Sequence, residues 1–174
     1  MTELLVLPKK KLEKLFKKRL EVGITCLGID TASRSGWCSI KTTEKECIFD
    51  YGYIDIEVTD RNFKFSQYTK IFNGMPYHDK VVIEDTFYSR NVRVFSLLSR
   101  IGAIAYAVFY LKNAKELKWL TAVQARKYLG LKSNVKKHIV QAEFKEKTGI
   151  TIIDNDIVDA VILALCGVLN EEYL

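Results

Sequence analysis

With 174 residues, 48% of them hydrophobic, the chain has enough apolar material for one packed domain. No apolar run is expected to supply the ~20 residues of a membrane-spanning helix; the longest, Ile101 to Leu111, contains Gly102 and two tyrosines and reads as a core helix. The formal charge is a modest +6, and the cysteines (Cys26, Cys38, Cys47, Cys166) have neither the CxxC spacing of a zinc site nor the density of a disulfide scaffold, so buried thiols in a reducing compartment are expected.

Most of the excess charge sits at the start. Lys9, Lys10, Lys11, Lys14, Lys17, Lys18 and Arg19 face only Glu3 and Glu13 over residues 1–20. Pro8 opens a segment with Leu12, Leu15, Phe16 and Leu20 at helical spacing, so residues 1–22 are expected to form a basic amphipathic arm. Such a face is either merely solvated or contacts phosphates. The arm lacks a secretory h-region and is rich in Lys rather than Arg and Ser, which predicts an intracellular protein.

Residues 23–174 then read as a single domain. Three strand-like runs, GITCLGIDT, GWCSIKT and ECIFDYGYIDIEV, are joined by short turns and predict an antiparallel meander. A helix is expected between Asp60 and His78, ending at Gly74 and Pro76, followed by the buried strand KVVIEDT. Asn91 to Leu111 predicts a long helix and ELKWL (116–120) a fifth strand. Helices over Thr121–Leu129, Ser133–Lys147 and Asn155–Leu169 complete the chain. The order βββαβαβααα predicts an α/β fold with a five-stranded mixed sheet, three strands antiparallel and two parallel, flanked by helices, compatible with an RNase H-like core.

Four acids stand where acids are expensive. Asp30 ends the apolar run Cys26–Ile29 and Glu84 ends Val81–Ile83, and strands deplete carboxylates because burying one alone is costly. Asp156 and Asp159 lie three apart at the start of a helix that is otherwise core, which aims both the same way. Taken alone, each has a plainer reading, as a dipole-stabilising or strand-end group. Together, if the first and fourth strands are neighbours, they form a cluster that needs a counter-charge. Hard oxygen ligands favour Mg²⁺, with Mn²⁺ able to substitute, and the expected site holds two ions about 3.5–4 Å apart that act on a phosphodiester. With only His78 and His138 available, no Ser-His-Asp or Cys-His arrangement competes.

Three stretches also resemble a known family. LGIDTASRSGW (27–37), IEDTFYSRN (83–91) and NDIVDA (155–160) are similar, in the same order, to the LGIDPGxxxxGY, IExxFxxxN and DxxDA segments of RuvC-type Holliday junction resolvases. The resemblance implies a crossover junction endonuclease that makes paired symmetric nicks in four-way DNA junctions, leaving 5′-phosphate and 3′-OH ends. It makes Asp30, Glu84, Asp156 and Asp159 the catalytic metal ligands and Lys137, in KKHIVQ, a catalytic basic residue. Phe87 aligns with an aromatic side chain that stacks on bases, with simple packing as its plainer reading. Arg90 and Arg93 are implied phosphate contacts, with Lys127, Lys132 and Lys136 as further DNA-binding candidates.

The two-fold symmetry of the junction implies a homodimer, with the helix Asn91–Leu111 as a candidate interface. No nucleotide cofactor and no membrane are expected, and the setting implied is the cytoplasm of a bacterium or phage-infected cell. The sequence departs from the family at Thr31 and Ala32, which replace Pro-Gly. Ala125 stands at a usually basic position with Arg126 beside it, and the arm before Gly23 has no counterpart in the core family. The runner-up is a relaxed branched-DNA or flap endonuclease. An ATP-binding fragment of the actin-like and sugar-kinase fold, suggested by GIDTASRSG, would need a second Gly-rich loop and a second domain that the sequence does not show, and four intact acids argue against a DNA-binding protein without catalysis.

Overall fold

A computed structural model describes residues 4–86, 91–152 and 154–171. In chain order the elements are β1 (Leu5–Pro8), α1 (Lys9–Phe16), β2 (Arg19–Leu20), β3 (Thr25–Asp30), β4 (Ser35–Thr42), β5 (Glu46–Ile54), α2 (Arg61–Gly74), β6 (Lys80–Glu84), α3 (Val92–Leu111), β7 (Glu116–Leu120), α4 (Ala122–Tyr128), α5 (Lys137–Thr148), α6 (Asn155–Val168) and β8 (Leu169–Asn170).

The main sheet runs β1-β5-β4-β3-β6-β7. β3, β4 and β5 form the expected antiparallel meander, and β6 and β7 continue parallel to β3. Six strands replace the expected five. The addition is β1, paired antiparallel with β5 from Leu5↔Phe49 to Pro8↔Glu46, which satisfies an edge that would otherwise expose unpaired backbone groups. The helix expected to run on to Leu20 stops at Phe16. Lys17 adopts a left-handed conformation and caps it, and Leu20 pairs instead with Leu169 in the small β2-β8 sheet. The basic segment is therefore built into the domain, with Leu7, Leu12, Phe16 and Leu20 buried in its core.

Strand alternation sorts the side chains into two layers. Leu27, Ile29, Val81 and Ile83 face α2 and α3, together with Tyr68, Phe72, Ile101 and Phe109. Cys26 and Val82 face the opposite side and pack with α6. Asp30 and Glu84 share the parity of that second face, so the alternation that builds the core aims both acids at α6. Apart from its first two residues α6 is buried, and each Leu, Ile or Val it hides contributes roughly 1.5–3 kcal/mol.

Two glycines let α6 lie this close. A Cβ at Gly28 would collide with the carbonyl oxygen of Ala160, and one at Gly36 with that of Asp156. The close approach sets the height of Asp156 and Asp159 above the sheet.

α5 starts at Lys137, four residues later than expected. The carbonyls of Ser133 and Val135 accept hydrogen bonds from Arg126 at 3.2 and 3.1 Å, which holds residues 133–136 out of the helix. All four cysteines are buried free thiols, and burial pushes Cys47 and Cys166 up to about 12. α3 corrects a second expectation, because its 20 residues are long and apolar enough to cross a membrane by length and composition. It is nevertheless packed on the sheet through Ile101, Gly102, Ala105 and Phe109, with Val92, Val94, Tyr106, Tyr110 and Leu111 exposed.

Candidate active site

β3 and β6 run parallel with Ile29 opposite Ile83, so Asp30 and Glu84 end adjacent strands side by side. Asp30 is 1% exposed and shares a hydrogen bond with Glu84. Burial, that hydrogen bond and the Asp30 charge push Glu84 up to about 10, so the Asp30–Glu84 pair holds a proton at neutral pH when no cation is bound.

The first turn of α6 completes the cluster around one ammonium group. Lys137 Nζ donates to Asp30 Oδ2 at 2.7 Å and lies 3.8 Å from Asp156 Oδ1 and 3.9 Å from Asp159 Oδ2. Burial alone would lower its pKa, but Asp30, Asp159 and Glu84 outweigh it and hold the group above the ordinary lysine value. The structure thus brings Asp30, Glu84, Asp156, Asp159 and Lys137 to one place at the C-terminal ends of β3 and β6.

Two arginines, not assigned from the sequence, share the site. Arg126 grips Asp159 through two bonds, Nε to Oδ1 at 3.0 Å and Nη2 to Oδ2 at 2.7 Å, with both side chains buried. Arg34, in the turn after β3, donates from Nε to Asp156 Oδ2 at 3.2 Å and pairs with Asp154, while its guanidinium stacks 3.9 Å above the ring of Tyr53. Asp154 also caps α6 by accepting from the backbone N–H of Asp156 at 2.9 Å. The sequence carried a signal for each: Arg126 stands beside a position that is usually basic in the resembled family, and Arg34 lies four residues beyond Asp30.

The expected DNA contacts are scattered. Lys136 is exposed and immediately precedes Lys137, beside the acids. Lys132 is exposed, its backbone N–H bonded to Glu143 at 2.9 Å. Arg93 is exposed at the start of α3, and its carbonyl accepts from Arg61 at 3.0 Å. Lys127 is exposed and lines a separate cleft with Lys17, Lys18 and Lys147, away from the acid cluster. Phe87 and Arg90 lie outside the described residues.

The donor set fits a hard divalent cation. Three cations, Arg34, Arg126 and Lys137, face five carboxyl groups, Asp30, Glu84, Asp154, Asp156 and Asp159, which leaves the cluster short of positive charge. The upward shift of Glu84 marks where the shortage falls. The four acids do not, however, stand open as equal ligands: among the described residues no group of three or more metal-binding side chains is arranged to hold an ion as it stands. Both oxygens of Asp159 are committed to Arg126, and Asp156 is shared with Arg34 and Lys137.

The central strand ending in an acid, the parallel neighbour ending in another and the acid-bearing helix laid across them define the RNase H-like fold. Within that class the chain has the RuvC-type fold. Its structure is similar to Thermus thermophilus RuvC, with a TM-score of 0.66 and 11% identity over 84% of this chain and 98% of that one. It is also similar to T. thermophilus RuvC in complex with Holliday junction substrate (TM-score 0.63, 11% identity, 82% and 90% covered). A third similar structure is the yeast mitochondrial Holliday junction resolvase (TM-score 0.59, 13% identity, 88% and 81% covered). No protein-family model matches the chain, and no curated protein matches it in sequence.

Proposed function

We propose that this chain is a divalent-metal-dependent endonuclease that resolves four-way DNA junctions as a homodimer. The observation that carries the proposal is the convergence of Asp30, Glu84, Asp156 and Asp159 on the Lys137 ammonium at the end of β3. The substrate class is supported by one similar structure, a RuvC in complex with Holliday junction substrate.

Asp30 and Glu84, with Asp156 beside them, are the residues that would hold the cation. When bound, it supplies positive charge and Lewis acidity toward the scissile phosphodiester. The chain's own groups do the rest. Lys137 is about one-third exposed, so its ammonium can donate to a phosphate oxygen that approaches from the open side while Asp30 fixes its position. Arg126 holds Asp159 in place, and Arg34 does the same for Asp156. Lys136 and Arg93 are placed to meet flanking phosphates.

The dimer reading rests on the exposed apolar face of α3. A junction has two-fold symmetry, so two copies, each with one acid cluster, match the two strands to be cut.

The test is incubation with a synthetic immobile four-way junction, with and without Mg²⁺, mapping nicks on all arms. Paired symmetric nicks that need the metal are expected, and Asp30→Asn should abolish them while junction binding is kept or strengthened. Loss of binding together with cleavage would count against a catalytic Asp30. Cleavage of flaps and Y-forks without symmetric junction nicks would replace the resolvase reading with a branched-DNA endonuclease.

A further inference from the structure

We propose a second DNA-contact site, remote from the acids: a lysine-lined cleft that binds backbone phosphates of duplex DNA. The N-terminal segment meets the C-terminal ends of α4 and α5 around a cleft of about 400 Å³, into which Lys17, Lys18, Lys127 and Lys147 project. No carboxylate lines it.

Two of these lysines are laid against aromatic faces rather than extended into solvent. Lys18 Nζ sits 4.1 Å above the ring of Tyr128, and Lys147 Nζ 5.4 Å above that of Phe16. Lys18 is only 9% exposed, yet among the described residues no carboxylate lies within ion-pair distance of it or of the other three lysines. The β2-β8 register brings Glu171 toward Lys18 and Tyr128, so one acid borders a cleft lined by four lysines, and a phosphate there offsets the remaining positive charge. A surface of solvated lysines would show neither the concavity nor the packing.

The location selects the ligand. Tyr128 Oη donates to the carbonyl of Leu169 at 2.7 Å, which anchors the cleft at the end of α6 opposite the acids. Asp159 and Leu169 are ten residues apart, on the order of 15 Å along a helix axis. This inference adds to the nuclease reading, but it concerns the sugar-phosphate backbone and can be tested on DNA without a junction.

The experiment compares the unmodified protein with the double variant Lys17→Glu/Lys147→Glu and with a charge-matched control on other surfaces, Lys41→Glu/Lys70→Glu. Binding to a linear duplex and to an immobile junction is measured by fluorescence anisotropy in EDTA across a salt series. The cleft variant should bind both DNAs at least tenfold more weakly at 0.1 M salt. Its slope of log affinity against log salt should be shallower by about 2, as expected for the loss of two phosphate contacts, with an unchanged unfolding temperature. Equal losses in the control variant, or an unchanged salt slope, overturn the proposal. So does calorimetric binding of inorganic pyrophosphate that the cleft variant abolishes without any change in duplex affinity. If the cleft variant behaves as expected while the wild type nicks no junction, the resolvase reading falls and the cleft stands.

Discussion

The guanidinium of Arg126 closes on both carboxylate oxygens of Asp159, and the same side chain donates to the carbonyls of Ser133 and Val135 just before Lys137. One buried arginine therefore fixes an acid of the site and the loop that delivers its central lysine. The same pairing leaves Asp159 less available as a direct cation ligand than the sequence pattern implied.

Arg126→Ala should destabilise the fold by about 3–5 kcal/mol, because it strands a buried carboxylate. Urea unfolding gives the value. Pairing it with Asp159→Ala in a double-mutant cycle should recover most of the loss, and additive effects would show that the two residues do not act as a pair.

Lys137 stands among the acids where a metal would also be attracted. Lys137→Met should tighten Mn²⁺ binding about tenfold or more by removing a repelling charge, and should slow junction nicking by about 100-fold. Calorimetry and single-turnover cleavage separate the two effects. Weaker Mn²⁺ binding would mean that the lysine organises the ligands rather than competing with the ion.

In chelator, the folded protein pushes Glu84 up to about 10, against about 4.3 in an unfolded chain. Between these values the folded state holds a proton that the unfolded state has lost, so stability falls as pH rises through the window. Glu84→Gln should flatten that slope and raise the unfolding temperature of metal-free protein at pH 8. Parallel thermal-unfolding profiles for wild type and variant from pH 5 to 9 would exclude a protonated Glu84.

The exposed α3 face carries Tyr106, Tyr110 and Leu111, with Tyr106 stacked between Tyr110 and Trp119 at centroid distances of 6.5 and 5.6 Å. Tyr110→Lys with Leu111→Glu should convert a sedimenting dimer to a monomer and uncouple the paired nicks. A wild-type monomer at micromolar concentration with cleavage intact would refute the dimer.

Gly28→Ala places a Cβ against the Ala160 carbonyl and should cost more than ~3 kcal/mol through overpacking. The unfolding transition reports it. A neutral effect would mean that α6 can lift from the sheet without loss.

The sequence by itself determined the strand meander, the long helices and the parity of Asp30 and Glu84, because alternation and helical spacing are local properties that hydrophobicity records directly. It also marked Asp156 and Asp159 as a same-face pair at a helix start. It did not determine the sixth strand, since Leu5–Pro8 pairs with a segment some forty residues away and has no distinctive pattern of its own. Nor did it assign Arg34 and Arg126, whose partners lie 122 and 33 residues away. Only tertiary packing decided which cation meets which carboxylate, because ion pairing depends on distances between elements that no local pattern encodes.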